Sequence, residues 1–142
     1  MKKVFFALMA LSLVCVAFTS CDKDSGFTAD PTTQPIAGKT YRETLSADSY
    51  SQFSFHMNYR CTMEAKRPGE APVANSYFEW WMSPNDNEVV IRYAQGAYDK
   101  TTGYSLSGQT FLSGSYNATQ KTVTLSGDFD GRHFTYTLKE QN

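Results

Sequence analysis

The stretch Ser51–Lys66, SQFSFHMNYRCTMEAK, limits the possible folds more than any other part of the chain. Phe53, Phe55, Met57, Tyr59, Cys61 and Met63 take odd positions. Gln52, Ser54, His56, Asn58, Arg60, Thr62, Glu64 and Lys66 take even ones. A helix repeats its apolar positions every three or four residues. Period two over about fifteen residues instead requires one long strand or a bent pair of strands. A dry face opposite a wet one implies an antiparallel sheet with one solvated side.

The other strand signals are shorter: Lys39–Leu45, Ser76–Met82, Glu88–Ala94, Gln109–Tyr116, Lys121–Phe129 and Arg132–Lys139, with a weaker one at Gly103–Ser107. Val123, Leu125, Gly127 and Phe129 share one face, as do Phe134, Tyr136 and Leu138. Asp130-Gly131 between these two runs predicts a type I′ hairpin, because both central positions of that turn need positive φ. No window has helical period. The expectation is an all-β fold, an antiparallel meander of about eight strands closing into a small barrel so that no edge is left open, with a β-sandwich as the alternative. An outer-membrane spanning barrel needs an apolar outward band on every strand. The charged even face of Ser51–Lys66 argues against one.

The first twenty residues read as a targeting segment. Lys2 and Lys3 precede the uncharged run Val4–Phe18, and the small residues Thr19 and Ser20 precede Cys21. Basic, apolar and small segments in that order are the pattern of a secretory signal peptide. The apolar run has fifteen residues, short of the roughly 20 that a spanning helix needs. The chain has 13 basic and 14 acidic residues; without Lys2 and Lys3 the net charge becomes about −3. No basic excess remains to collect phosphates, so nucleic acid is not an expected partner. Asp, Thr, Pro and Gly dominate residues 22–37, which read as a flexible tether of about 20–25 Å. The expected organisation is a signal peptide over 1–20, a tether over 21–37 and a β domain over 38–142.

AFTSC, Ala17–Cys21, resembles the lipobox of bacterial lipoproteins, with Phe18 where Leu is usual. The resemblance implies cleavage before Cys21, lipidation of its thiol and a membrane partner reached through that lipid. SCDKD is similar to the start of lipoproteins of the Bacteroidetes, which implies a place in the cell envelope, anchored at the outer membrane on its periplasmic face or at the cell surface. IAGKTYR, GSYNATQKTVTLSG and FTYTLKEQ together resemble the small lipocalin-like lipoproteins of that group. This implies a lipocalin-like barrel.

Aromatic residues make up 15% of the chain, and YFEWWM, Tyr77–Met82, is their densest cluster. One reading fills the barrel with Phe78 and Trp80. A second lines a cavity for a small apolar ligand with Phe53, Phe55, Tyr59, Trp80 and Tyr93, since an eight-stranded barrel is just wide enough for one ligand or for side chains alone. A third places Tyr77 and Trp81 on an outer patch that meets a protein or glycan. Cys61 has no partner but Cys21 and reads as a buried thiol. His56 and His133 read as solvated, and Asp128 and Asp130 as turn residues, so no metal site is expected. No nucleophile elbow, phosphate loop or catalytic triad pattern is present. The chain therefore reads as a binding protein, without cofactor and not an enzyme.

Overall fold

A computed structural model of the chain describes residues 33–83 and 85–142. The compact unit runs from Gln34 to Asn142. Cys21, the signal peptide and the tether residues before Thr33 lie outside the described residues.

Eight strands follow one another: β1 (Lys39–Ser46), β2 (Ser49–Phe55), β3 (Arg60–Lys66), β4 (Val73–Met82), β5 (Glu88–Tyr93), β6 (Thr110–Asn117), β7 (Thr122–Phe129) and β8 (Arg132–Glu140). Each pairs antiparallel with the next, and β8 returns to β1, so the meander closes into a barrel. This is the architecture expected from the hydrophobic alternation. Closure removes the open edges that an eight-stranded sheet would otherwise expose. Asp130 and Gly131 have φ of 53° and 74° and bring Phe129 opposite Arg132, as the type I′ turn requires.

The long alternating run forms two strands. β2 ends at Phe55, β3 starts at Arg60, and Phe55 pairs with Cys61. Five residues, an odd number, separate the paired Phe55 and Cys61, so odd positions stay inward on both strands. Met57 sits in this turn and is 54% exposed, which removes it from the expected dry face. Tyr59 takes the positive φ, 69°, that the reversal needs. Gly103–Ser107 forms no strand; Tyr98 and Ser105 make an isolated bridge.

The folded part also begins before Gly38. Gln34, Ile36 and Ala37 are buried, in a turn held by Ala37 N–H to Gln34 O (3.1 Å) and Lys39 N–H to Ile36 O (3.2 Å). Ile36 joins the core cluster. Two apolar residues without periodicity give no sequence signal of this plug.

Strand direction gives the barrel two different ends. The Gln34–Gly38 plug and the β2–β3, β4–β5 and β6–β7 turns close one. The β1–β2 and β7–β8 turns, the β3–β4 loop and the long β5–β6 loop surround the other. Tyr41, Phe53, Phe55, Cys61, Trp80, Val89, Ile91, Val123, Leu125 and Leu138 are fully buried between them. Gly114 and Gly127 let β6 and β7 approach closely: a Cβ on Gly114 would lie 1.7 Å from Thr124 O, and one on Gly127 2.3 Å from Phe111 O.

Candidate functional site

The five residues expected to line a cavity are divided along the barrel. Phe55, Tyr59 and Trp80 pack together at the closed end, with ring centroids 5.6 Å apart for Phe55–Trp80 and 6.3 Å for Tyr59–Trp80. Phe53 sits edge-on to Tyr136 at 5.2 Å. Tyr93, towards the open end, packs against Phe78 and Phe111 at 5.4 and 5.3 Å. Phe53, Phe55 and Trp80 have no exposed surface. Their rings pack in the interior, and such edge-on pairs add about 0.5–1.5 kcal/mol each beyond burial.

An open cavity of about 320 Å³ lies on the β3–β4 hairpin at the mouth of the barrel, lined by Met63, Ala65, Arg67, Glu70, Ala71, Val73 and Asn75, with Val73 71% exposed. Met63 and Ala65 continue the inward face of β3. Val73 and Asn75 are their cross-strand partners on β4. A register shift between Cys61 and Met63 absorbs an extra β4 residue. It switches the inward parity of β4, so Phe78, Trp80 and Met82 point in from even positions and Val73 and Asn75 from odd ones. The apolar wall here comes from Met63, Ala65, Ala71 and Val73, in contrast to the Phe55, Tyr59 and Trp80 rings at the closed end, and Arg67 and Glu70 form a polar lip.

Sequence reasoning missed this site. One signal was available: the inward side chains shrink along the run, from Phe53 and Phe55 to Cys61, Met63 and Ala65, so less of the interior is filled where β3 ends. The parity switch in β4 had no such signal.

The lip is held by one carboxylate. Lys66 Nζ lies 2.6 Å from Asp48 Oδ1, and Gly69 N–H donates to Asp48 Oδ2 at 2.8 Å. The β1–β2 turn is thereby tied to the β3–β4 loop. The Lys66 hydrogen bond, followed by the Gly69 amide, holds the Asp48 carboxyl below the usual range. Gly69 reaches this position with φ of 75°.

The barrel is also incompletely stitched at the mouth. β1 and β8 share two pairs, Tyr41–Glu140 and Arg42–Lys139; beyond them the Thr137 amide donates to Glu43 Oε1 at 2.6 Å. β4 pairs with β5 only over Phe78–Met82. Ala94 N–H to Tyr77 O, 2.9 Å, is the next bond in that direction, and the chain then leaves in the β5–β6 loop.

Tyr77 and Trp81, the expected outer patch, flank Glu79 on the outside of β4. Tyr77 is 63% exposed and Trp81 half-buried. Between them Glu79 pairs with Arg92 at 3.7 Å. His133 and Asp128 are exposed cross-strand partners, 2.8 Å apart. His56 meets Thr62 at 2.9 Å. Among the described residues no three His, Cys, Asp or Glu side chains come together as a metal site.

Comparison with protein-family models, with curated proteins and with solved structures finds no match to the chain.

Proposed function

We propose that this chain is a cell-envelope protein, anchored in the outer membrane by lipid on Cys21, and that its barrel binds a small apolar group without transforming it. The open cavity at the mouth carries the binding part of this reading. Its volume, about 320 Å³, is at the lower end of the range for small-molecule sites, and an apolar wall with a few polar groups is their usual make-up. Met63, Ala65, Ala71 and Val73 supply the wall, with Arg67, Glu70 and Asn75 at its border. The site thus differs from the aromatic interior expected of a deep calyx. The anchor rests on the AFTSC resemblance.

Native mass spectrometry of the protein purified from its host tests the binding reading. The expected result is a copurifying small molecule that an Ala65→Trp variant, filling the cavity, no longer retains. A wild-type protein that carries nothing and does not bind the apolar dye 8-anilinonaphthalene-1-sulfonate would overturn it. A Cys21→Ser variant tests the anchor: it is expected in the soluble fraction without acyl mass, and an unchanged membrane fraction would refute the lipid assignment.

A further inference from the structure

We infer that the mouth of the barrel captures an extended polypeptide segment, which adds as a strand beside Val73–Ser76 and places an apolar side chain in the cavity. The inference rests on the cavity being a binding site and names what presents the apolar group.

β4 is the longest strand, and half of it lacks a second neighbour. Its residues from Phe78 to Met82 lie between β3 and β5. Its residues from Val73 to Asn75 pair with β3 alone, and Val73–Tyr77 are all exposed. An exposed strand edge recognises another extended backbone through main-chain hydrogen bonds, and adjacent pockets read alternate side chains. Both parts are present here. The cavity is bordered by Val73 and Asn75, the inward side chains of this same half-strand, and no residue of the β5–β6 loop walls it off. An incoming strand at the normal spacing of about 4.8 Å would continue the inward face of Met63, Ala65, Val73 and Asn75.

The two gaps at the mouth differ in protection. Across the β1–β8 seam, Glu43 projects a carboxylate that occupies the Thr137 amide, and a charge of this kind blocks strand addition. Along Val73–Ser76 the sequence is uncharged; Asn75 Oδ1 accepts the Tyr77 amide at 2.9 Å, and only at the Ser76 end does a charge reach the backbone, where Arg60 Nη2 of β3 donates to Ser76 O at 3.0 Å. Exposed Tyr77 stands at the end of the edge, beside the arriving segment. A second copy of the chain fits less well. An edge of four residues buries far less than the roughly 1,200 Å² of a stable protein–protein interface, whereas a short peptide needs only the edge and the pocket.

The test uses the mature chain and a capped hexapeptide alternating threonine and leucine. A matched peptide N-methylated at alternate amides keeps its side chains and loses backbone donors. The expected result is saturable binding, slowed hydrogen exchange confined to the Val73–Tyr77 region, and at least about a tenfold weaker interaction for the N-methylated peptide. Equal binding of the two peptides, or protection on another strand, would overturn the inference. So would concentration-dependent dimerisation through Val73–Ser76 in sedimentation without peptide. Binding of 8-anilinonaphthalene-1-sulfonate in the cavity without peptide binding would sink the strand-addition inference alone and leave the small-group reading standing. Failure of both probes would remove both.

Discussion

The indole N–H of Trp80 donates to the backbone carbonyl of His56 across 2.9 Å, and the Trp80 amide donates to Tyr59 O at the same distance. One fully buried side chain thus fixes the β2–β3 turn while filling the closed end. A buried indole N–H needs such a partner, and the turn carbonyl supplies it. Trp80→Phe removes the donor and leaves unfilled volume. The expected loss is about 2 kcal/mol of stability in urea denaturation, with faster amide exchange in residues 56–59.

Gly114→Ala and Gly127→Ala act through backbone that cannot yield. A methyl at either site meets a carbonyl oxygen of the neighbouring strand at 1.7 or 2.3 Å. Each substitution is expected to cost about 3 kcal/mol or more, beyond ordinary overpacking. Gly69→Ala meets nothing within 4 Å and carries only the positive-φ penalty, about 1–2 kcal/mol. Thermal unfolding of the three variants checks the order.

Burial pushes the Cys61 thiol well above its usual range. The thiolate is the reactive form. Native protein at pH 8 is therefore expected not to react with Ellman's reagent at Cys61, and protein in 6 M guanidinium chloride to react fully. Prompt reaction of the native thiol would contradict its burial.

The Asp48 clasp gives the mouth a dependence on acid. Its carboxyl ionises more readily folded than unfolded, so its contribution is fully present above the unfolded value of about 3.9. It is lost as pH falls through the lower folded value. The Gly69 amide resonance is expected to shift below about pH 4. The Asp48→Asn variant should show no such shift, and loop residues 67–72 should exchange faster in it at neutral pH.

Tyr41 responds at the opposite extreme. Burial first, then Tyr116 and Glu140, raises its phenol well above the ordinary range. A neutral phenol favoured by folding stabilises fully below the unfolded value near 10, and the contribution falls as pH rises through the folded one. Stability is expected to decline above about pH 10, less so in Tyr41→Phe, as measured by urea midpoints from pH 8 to 11.

Much of this fold was legible because its signals are local. The alternation in Ser51–Lys66, the Asp130-Gly131 turn and the Val123–Phe129 face each follow from neighbouring residues, and sequential hairpins leave few ways to connect them. The cavity was not legible because it depends on register. A single extra residue on β4 moved Val73 and Asn75 inward, and only the pairing of Met63 with Asn75 reveals it. Phe53, Phe55 and Trp80 are fully buried and Tyr59 falls in the β2–β3 turn, but whether rings meet or leave room is decided across strands. Ile36 was lost for a similar reason: its partners are distant in the chain.

The placement of the Gln34–Gly38 plug has a mechanical consequence. Chain enters and leaves the barrel at one pole, where the Gln141 amide reaches Thr40 O at 2.8 Å, while the cavity occupies the other. The two ends of the unit Gln34–Asn142 therefore lie at the same pole, and none of the mouth turns has to carry them. Substitutions in the mouth loops can therefore reshape the rim without loosening the end where the chain enters and leaves.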